Sequence, residues 1–203
     1  MHINPGFKGR RRLEANKSKR VPPGQHLTDD FPVLSAGPTP KIRKEQWTFR
    51  IEGLVSQVQQ WSWTEFQQLP QTSYQVDIHC VTAWSKLDTR WRGVDVGSLL
   101  AMAQPTTKAK YVLAFCHGGY TTNLPLTDVL DGKAFIGLQY GGFPLTPEHG
   151  GPARLVVPHL YFWKSAKWVQ GLRLISEDQA GFWEEIGYHM YGDPWKEQRY
   201  AED

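Results

Sequence analysis

The segment that ends at Cys80 constrains the fold most. From Tyr74 to Cys80 the residues alternate between apolar and polar side chains, which is typical of a half-buried β-strand. The alternation stops after Cys80, so this thiol is predicted to lie where a strand meets a loop. It could serve there as a nucleophile, as a redox-active group or as a soft metal ligand. The structural alternative is a buried cysteine that acts as a small apolar side chain.

A second informative segment lies downstream, at residues 150–169. It contains Gly-Gly-Pro-Ala-Arg-Leu-Val-Val-Pro followed by Lys-Ser-Ala-Lys. Together with the string Cys-Val-Thr-Ala-Trp-Ser that begins at Cys80, it resembles the molybdopterin-binding domain of the sulfite oxidase family. The resemblance runs from about residue 46 to the C-terminus. It is greatest for the bacterial branch, which includes the catalytic subunit of periplasmic methionine sulfoxide reductase. It implies a molybdenum-dependent oxidoreductase.

The composition is that of one folded domain. The chain has 203 residues, of which 40% are hydrophobic and 21% charged, and its formal net charge is +3. Basic residues cluster near the N-terminus and predict a flexible basic arm over residues 1–27. The oxidoreductase domain is then expected over residues 28–203. The basic run lacks interleaved aromatic residues and no nucleic-acid-binding motif follows it, so no nucleic-acid partner is expected.

Three consecutive arginines, Arg10 to Arg12, are similar to part of a twin-arginine export signal. The residues that follow, Leu13 to Lys17, form no apolar stretch, and no other segment is long enough to span a bilayer. We therefore expect a cytoplasmic protein without a membrane span. In that compartment its two cysteines would be reduced thiols rather than a disulfide.

Many short elements without regular βαβ order predict a mixed α+β fold. A capping-box pattern at Ser62 and Glu65 opens a short helix as far as Leu69, and a second helix is predicted over residues 94–103. The chain after Glu177 is predicted to be irregular. Strands are predicted over residues 47–51, 74–80, 111–115, 120–124, 134–140, 154–157 and 167–175, the third and fourth forming a hairpin.

The resemblance also implies which residues bind the cofactor. A molybdenum atom carried by a pterin dithiolene needs one soft anionic ligand from the protein. Cys80 matches the metal-binding cysteine of the family, so it is the expected metal ligand and catalytic residue of a molybdenum–molybdopterin enzyme. The matching positions imply that the pterin and its phosphate contact Phe31, Pro32, Val33, Cys116, His117, His149, Arg154, Ser165, Ala166 and Lys167. The matching position of the family is occupied by either Cys116 or its neighbour His117. Cys116 is expected to line the cavity rather than to bind metal.

The chain departs from true sulfite oxidases directly after Cys80. Their arginine pair, which supplies charge for an anionic substrate, is replaced by the neutral residues Val81 to Ser85. An apolar site disfavours a dianion. We therefore expect oxygen-atom transfer from a small neutral substrate, a sulfoxide or an N-oxide. No haem module or additional dimerisation domain accompanies the motifs, so a separate electron-transfer partner and a monomer are expected.

Two other functions remain open from the sequence. The domain could bind or carry molybdopterin without turnover. Alternatively, Cys80 could be the nucleophile of a thiol enzyme, with His79 or His117 as its base. Adjacent residues on a strand point to opposite faces, which disfavours His79 in that role. His79 could equally approach a metal-bound group or lie at the surface.

Overall fold

The structure is a computed structural model, and it describes residues 19–203. The helices in this part of the chain are α1 (Trp63–Gln68), α2 (Val96–Ala103) and α3 (Phe182–Glu185). The strands are β1 (His26–Leu27), β2 (Thr48–Gly53), β3 (Gln59–Ser62), β4 (Thr72–His79), β5 (Trp84–Asp95), β6 (Tyr111–Cys116), β7 (Thr121–Pro125), β8 (Phe135–Tyr140), β9 (Phe143–Pro144), β10 (Arg154–Val156) and β11 (Val169–Ile175). Short 3-10 turns connect several of them.

The strands form two sheets. In the first, the order is β1-β5-β8-β10, with β4 on the other edge of β5 and β9 beside β8. β4 and β5 are antiparallel and make a hairpin whose turn begins at Cys80. In the second sheet the order is β3-β2-β11-β6-β7, and its β6–β7 hairpin turns at His117. Two hairpin turns, one from each sheet, therefore carry residues that the sequence singled out.

Two apolar cores support these sheets. The larger core contains buried residues from both sheets, such as Phe49, Leu172 and Ile136, together with Leu99 of α2. The smaller core contains Ile78, Cys80, Trp84, Trp91, Phe135, Leu145, Val156 and Phe162. Cys80 thus lies at the edge of packed apolar side chains, which limits the movement of its turn.

The mixed α+β fold predicted from the sequence is confirmed. The capping box at the start of α1 is present: Ser62 accepts a hydrogen bond from the Glu65 backbone, and the Glu65 carboxylate accepts one from the Ser62 backbone. The β6–β7 hairpin and the helix at α2 also form as predicted. Each of these elements is specified by a short pattern of neighbouring residues, and the chain contains each pattern completely.

The longest strand, β5, is missing from the sequence prediction. Polar and small residues alternate irregularly with apolar ones at its buried positions, which are Trp84, Ser85, Thr89, Trp91, Gly93 and Val94. Gly93 is needed for close packing, because a Cβ atom there would lie 2.1 Å from the Ile136 carbonyl oxygen. Asp88 has a left-handed backbone with φ of 57°, which interrupts the alternation further. The strand is therefore defined by its neighbours rather than by its own pattern.

The predicted flexible arm over residues 1–27 needs correction where the structure describes it. Residues 1–18 lie outside the described residues. Arg20 makes ion pairs with Asp77 and Asp88 at 2.5 and 2.7 Å, and Pro22 is buried. β1 then pairs in parallel with the start of β5. Residues 19–27 are therefore packed against the domain, because complementary charges and backbone hydrogen bonds hold them there.

Candidate active site

A cavity of about 690 Å³ opens beside Cys80. Its size falls in the range of pockets that hold a cofactor or a drug-sized ligand. Residues from five separate stretches of the chain form its wall: 31–40, 80–84, 117–120, 154–168 and 182–188. The cavity therefore combines both hairpin turns with the segment around Arg154 that the sequence singled out.

Cys80 is fixed in place by the turn of the β4–β5 hairpin. Its backbone N–H donates to the carbonyl of Trp84 at 2.8 Å, and its carbonyl accepts from the N–H of Ala83 at 3.0 Å. Ala83 takes a left-handed backbone conformation with φ of 71° to close the turn. The hydroxyl of Thr82 donates to the Cys80 sulfur at 3.1 Å. The sulfur therefore reaches the cavity with a defined direction and one hydrogen-bond donor.

Arg154 is a buried cation without an acidic partner. Only 4% of the residue is exposed, and among residues 19–203 no carboxylate lies within 4.0 Å of its guanidinium. Its Nε donates to the Ser165 carbonyl at 2.9 Å and its Nη1 to the His149 carbonyl at 3.1 Å, while Phe162 packs below it at 3.9 Å. Burial lowers the pKa of Arg154 to about 9, so the group stays charged at neutral pH. A buried charge of this kind is typical of a site that receives an anion.

Lys167 supplies a second positive charge to the cavity wall. Its ammonium donates to the carbonyls of Leu34 and Glu148 at 2.6 and 2.5 Å. Burial, and to a smaller extent repulsion by Arg154, lower the pKa of Lys167 to about 8. Like Arg154, it is bound by backbone carbonyls rather than by a carboxylate in the described part of the chain. In residues 19–203 neither cation has a carboxylate within ion-pair distance, and the charge of Glu148 acts on Lys167 from farther away.

Ser165 and Ala166 are held rigidly between these cations. The Ser165 hydroxyl accepts a hydrogen bond from the Val157 N–H at 2.9 Å, and the Ala166 carbonyl accepts one from the Leu155 N–H at 3.0 Å. Both residues are buried and line the cavity. The Ser165 and Ala166 carbonyls are thus used within the protein, and these bonds fix both residues in the cavity wall.

Phe31 anchors the loop over the cavity, and His149 holds Phe31. The imidazole Nε2 of His149 lies 2.9 Å from the Phe31 carbonyl oxygen, and the two rings are 4.2 Å apart. Phe31 and Pro32 line the cavity, whereas Val33 and His149 are not among its lining residues. Neither Val33 nor His149 therefore forms part of the cavity wall, and His149 supports the wall through Phe31. The Val33 residue is half exposed.

The lining role predicted for Cys116 also needs correction. Cys116 is buried in the larger core, and burial raises its pKa. It is absent from the cavity wall, whereas its neighbours His117, Gly118 and Gly119 belong to it. As the last residue of β6, Cys116 directs its side chain to the core, and the turn that follows faces the cavity. Both cysteines are free thiols.

His79 lies neither beside the cavity nor at the surface. Only 5% of the residue is exposed, and its Nδ1 is 2.8 Å from the Ser85 hydroxyl. It is not among the lining residues. Since it faces away from Cys80, as the strand geometry predicted, it cannot act as a base toward that thiol.

Apart from Phe31, the aromatic residues of the cavity wall were not named as site residues from the sequence. Tyr120, Trp163, Phe182, Trp183 and Tyr188 line one side of it, and this set is named the aromatic wall here. The Trp163 and Tyr188 rings pack edge to face at 5.2 Å, and the Tyr120 hydroxyl donates to the Trp163 carbonyl at 2.7 Å. The signal was the unusual content of nine Trp, since four of them (Trp84, Trp163, Trp168 and Trp183) line the cavity.

The described residues fit a molybdenum–pterin group. Cys80 provides one soft sulfur at the cavity, which is what a metal with pterin dithiolene ligands needs from the protein. Arg154 and Lys167 provide the charge that a phosphate needs. His117 Nε2, in the cavity wall, is buried without a hydrogen-bond partner. Soft ligand, cations and spare polar atoms thus occur around one cavity of sufficient size.

Comparisons with known proteins agree with this fit. Residues 36–183 match the family of the oxidoreductase molybdopterin binding domain. Over 191 residues the chain is 44% identical to the uncharacterized oxidoreductase YuiH of Bacillus subtilis (strain 168), with 94% of this chain and 96% of that protein covered. The fold and the matches define an oxidoreductase domain. The chain belongs to the sulfite-oxidase-like family of molybdopterin-binding oxidoreductases, and it is an enzyme of that family.

Two further relatives are reductase subunits. The chain is 30% identical over 184 residues to the putative protein-methionine-sulfoxide reductase subunit YedZ1 of Azospira oryzae, covering 89% of this chain and 70% of that protein. It is 29% identical over 181 residues to the protein-methionine-sulfoxide reductase catalytic subunit MsrP of Pseudomonas syringae pv. tomato, covering 79% and 52%. The sulfane dehydrogenase SoxCD of Paracoccus pantotrophus matches in structure with a TM-score of 0.62 at 22% identity, over 68% of this chain and 40% of that one. This last likeness concerns the fold.

The predicted cytoplasmic location is wrong. The methionine sulfoxide reductase subunits among the relatives are periplasmic. The prediction depended on the residues that follow Arg12, which lie outside the described part of the chain. In residues 19–203, the structure contains no helix long and apolar enough to cross a membrane.

Proposed function

We propose that this protein is a molybdenum-dependent reductase that removes an oxygen atom from a neutral sulfoxide or N-oxide, with electrons from a separate protein partner. When bound, the molybdenum–pterin group supplies two-electron oxygen-atom transfer. Cys80 is the protein ligand to the metal and the residue on which turnover depends. A domain that binds molybdopterin without turnover is the alternative.

One observation carries the proposal: a thiol at a fixed turn faces a cavity in which two cations have no ion pair with a carboxylate of residues 19–203. Cys80 offers a soft anionic ligand once it is deprotonated. Arg154 and Lys167 would hold the phosphate of the pterin by charge-assisted hydrogen bonds. Ser165 and Ala166 would contact the same group through atoms that are already held in position. His149 would support this arrangement through Phe31 rather than through direct contact.

The charge distribution favours a neutral substrate. Val81 and Thr82 are the lining residues next to Cys80, and neither is charged. Arg90 and Arg92 are exposed on β5 and belong to a different surface depression, so they do not supply charge to the cavity. The aromatic wall adds apolar contacts to the same cavity. A neutral polar substrate loses less hydration free energy on entry than a dianion such as sulfite does.

The test is metal analysis of protein made in a molybdenum-sufficient host. We expect about one molybdenum per chain, since Cys80 is a single thiolate ligand. In Cys80→Ser the thiolate-to-metal absorption should disappear, because a hydroxyl is harder and much less acidic. Cys116→Ser is the matched control and should keep that absorption. Unchanged absorption in Cys80→Ser would contradict the assignment, and molybdenum without sulfoxide or N-oxide turnover would favour the non-catalytic alternative.

A further inference from the structure

The turn that carries Cys80 is held from outside by residues near both ends of the described chain. Three of its backbone carbonyls, those of Cys80, Val81 and Ala83, accept hydrogen bonds from residues that belong to neither β4 nor β5. The donors come from residues 25–26 and from residue 199. Both segments lie outside residues 36–183, which match the family.

The N-terminal contact is made by Gln25 and His26. The Gln25 side-chain amide donates to the Cys80 carbonyl at 3.0 Å, and the His26 backbone N–H donates to the Ala83 carbonyl at 2.9 Å. Arg20 fixes this segment through its ion pairs with Asp77 and Asp88. The segment that places the Gln25 side-chain amide at the turn is therefore itself bound to the β4–β5 hairpin.

The C-terminal contact is made by Arg199. Its Nη1 donates to the Val81 carbonyl at 2.5 Å, and only 16% of its side chain is exposed. The guanidinium lies 5.0 Å from the ring centroid of Tyr161, which is fully buried. The backbone around Arg199 also pairs with residues 187–189, including a bridge between Tyr188 and Tyr200. Arg199 thus connects the Cys80 turn to the aromatic wall.

We propose that Gln25 and Arg199 are positioning residues that fix the direction of the Cys80 sulfur. A hairpin turn with a left-handed residue has several accessible conformations, and each external hydrogen bond to its carbonyls removes some of them. A charged donor such as Arg199 contributes more than a neutral one. The role of the sulfur as a metal ligand rests on the proposed function, whereas the restraint on the turn does not.

Hydrogen exchange of the full-length chain, made without the cofactor, tests the restraint. In Arg199→Ala and Gln25→Ala, the amides of Cys80 and Ala83 should exchange about tenfold faster, because opening of the turn becomes easier. Arg199→Lys keeps one charged donor and should recover part of the protection. Lys196→Ala, a change in an exposed residue of the same C-terminal segment, is the control and should behave as the wild type. Unchanged exchange in both variants, or an equal increase throughout the domain, would overturn the proposal.

The position of the sulfur is tested separately. Iodoacetamide should modify Cys80 in the cofactor-free chain about tenfold faster in Arg199→Ala than in the wild type, measured by peptide mass spectrometry. In metal-loaded protein, the thiolate-to-metal absorption should shift in Arg199→Ala and return toward its normal position in Arg199→Lys. Faster exchange with unchanged alkylation and absorption would mean that the turn is held but the sulfur is not. Absence of molybdenum from the wild type would refute the proposed function. The exchange and alkylation results would still decide whether Gln25 and Arg199 position the turn and the sulfur.

Discussion

Lys164 and Glu184 form an ion pair that is closed off from solvent, with 2.6 Å between Nζ and Oε1 and no exposed side-chain surface on either residue. The ammonium also donates to the carbonyls of Asn123 and Met190, at 3.0 and 2.7 Å. The same carboxylate oxygen accepts from the Trp163 indole at 2.8 Å. This network attaches the segment of the aromatic wall to β7.

Removal of one partner of this pair should destabilise the protein strongly. Lys164→Met leaves the Glu184 carboxylate buried without its cation, which is expected to lower the free energy of unfolding by about 3–5 kcal/mol. Urea denaturation of the cofactor-free chain measures this. Arg173→Ala, which removes an exposed partner of Glu52, is the matched control and should cost no more than about 1 kcal/mol. A loss in Lys164→Met as small as in the control would contradict the structural role.

Loss of either cavity cation should reduce cofactor occupancy without unfolding the domain. Arg154→Ala or Lys167→Ala removes a charge-assisted hydrogen bond to the phosphate, worth about 1.5–3 kcal/mol, which is roughly a 10- to 100-fold loss in affinity. Molybdenum per chain gives the occupancy, and circular dichroism gives the fold. Arg90→Ala should retain the wild-type content, because Arg90 lies in the other depression. Full occupancy in both cavity variants would show that neither cation holds the cofactor.

Cofactor affinity should depend on pH through Lys167. Its pKa of about 8 means that the ammonium is fully charged well below pH 8 and loses its proton as the pH rises through that value. Attraction for the phosphate is therefore present at low pH and weakens between about pH 7 and about pH 9. Quenching of tryptophan fluorescence by the bound pterin can follow the affinity. Lys167→Arg keeps its charge over this window and should remove the part of the slope near pH 8, whereas any slope due to Arg154, with its pKa of about 9, lies nearer pH 9 and should remain. The same slope in both proteins would assign it to another group.

A positive charge next to Cys80 should shift substrate preference toward sulfite. The wild type should reduce a sulfoxide with a reduced viologen dye as donor and oxidise sulfite slowly with ferricyanide as acceptor. Val81→Arg adds a cation to the cavity wall and should raise the ratio of sulfite to sulfoxide kcat/KM by about tenfold or more. Val81→Leu controls for side-chain size. Rapid sulfite oxidation by the wild type would contradict the neutral-substrate proposal.

The elements that sequence patterns predicted are those with local signals. The strand before Cys80, the capped helix α1 and the β6–β7 hairpin each follow from alternation, a capping box or a glycine turn. β5 depends instead on a close backbone approach at Gly93, and its charged outer residues conceal it. Such a strand is specified by its partners β4 and β8, which a single sequence does not reveal.

The candidate site was predictable where a motif carried it and not where tertiary contacts did. Cys80, Arg154 and Lys167 were identified by sequence and lie at one cavity. The aromatic wall and the buried Lys164 were missed, because an aromatic residue or a lysine has the same appearance in a sequence whether it is buried or exposed. The sequence left open whether Cys116 or His117 was the matching residue, and only His117 lines the cavity, since consecutive residues at a strand end face opposite directions.

The wall of the cavity has a consequence for the order of events during biosynthesis. Its five stretches extend from residue 31 to residue 188, so more than three quarters of the chain separates its first and last members. A ribosome that has released only the N-terminal half of the chain cannot yet present a closed pocket, even though β4 and Cys80 have already emerged. A group that contacts all five stretches could therefore bind only after residue 188 has emerged, so its insertion would follow the synthesis of most of the chain.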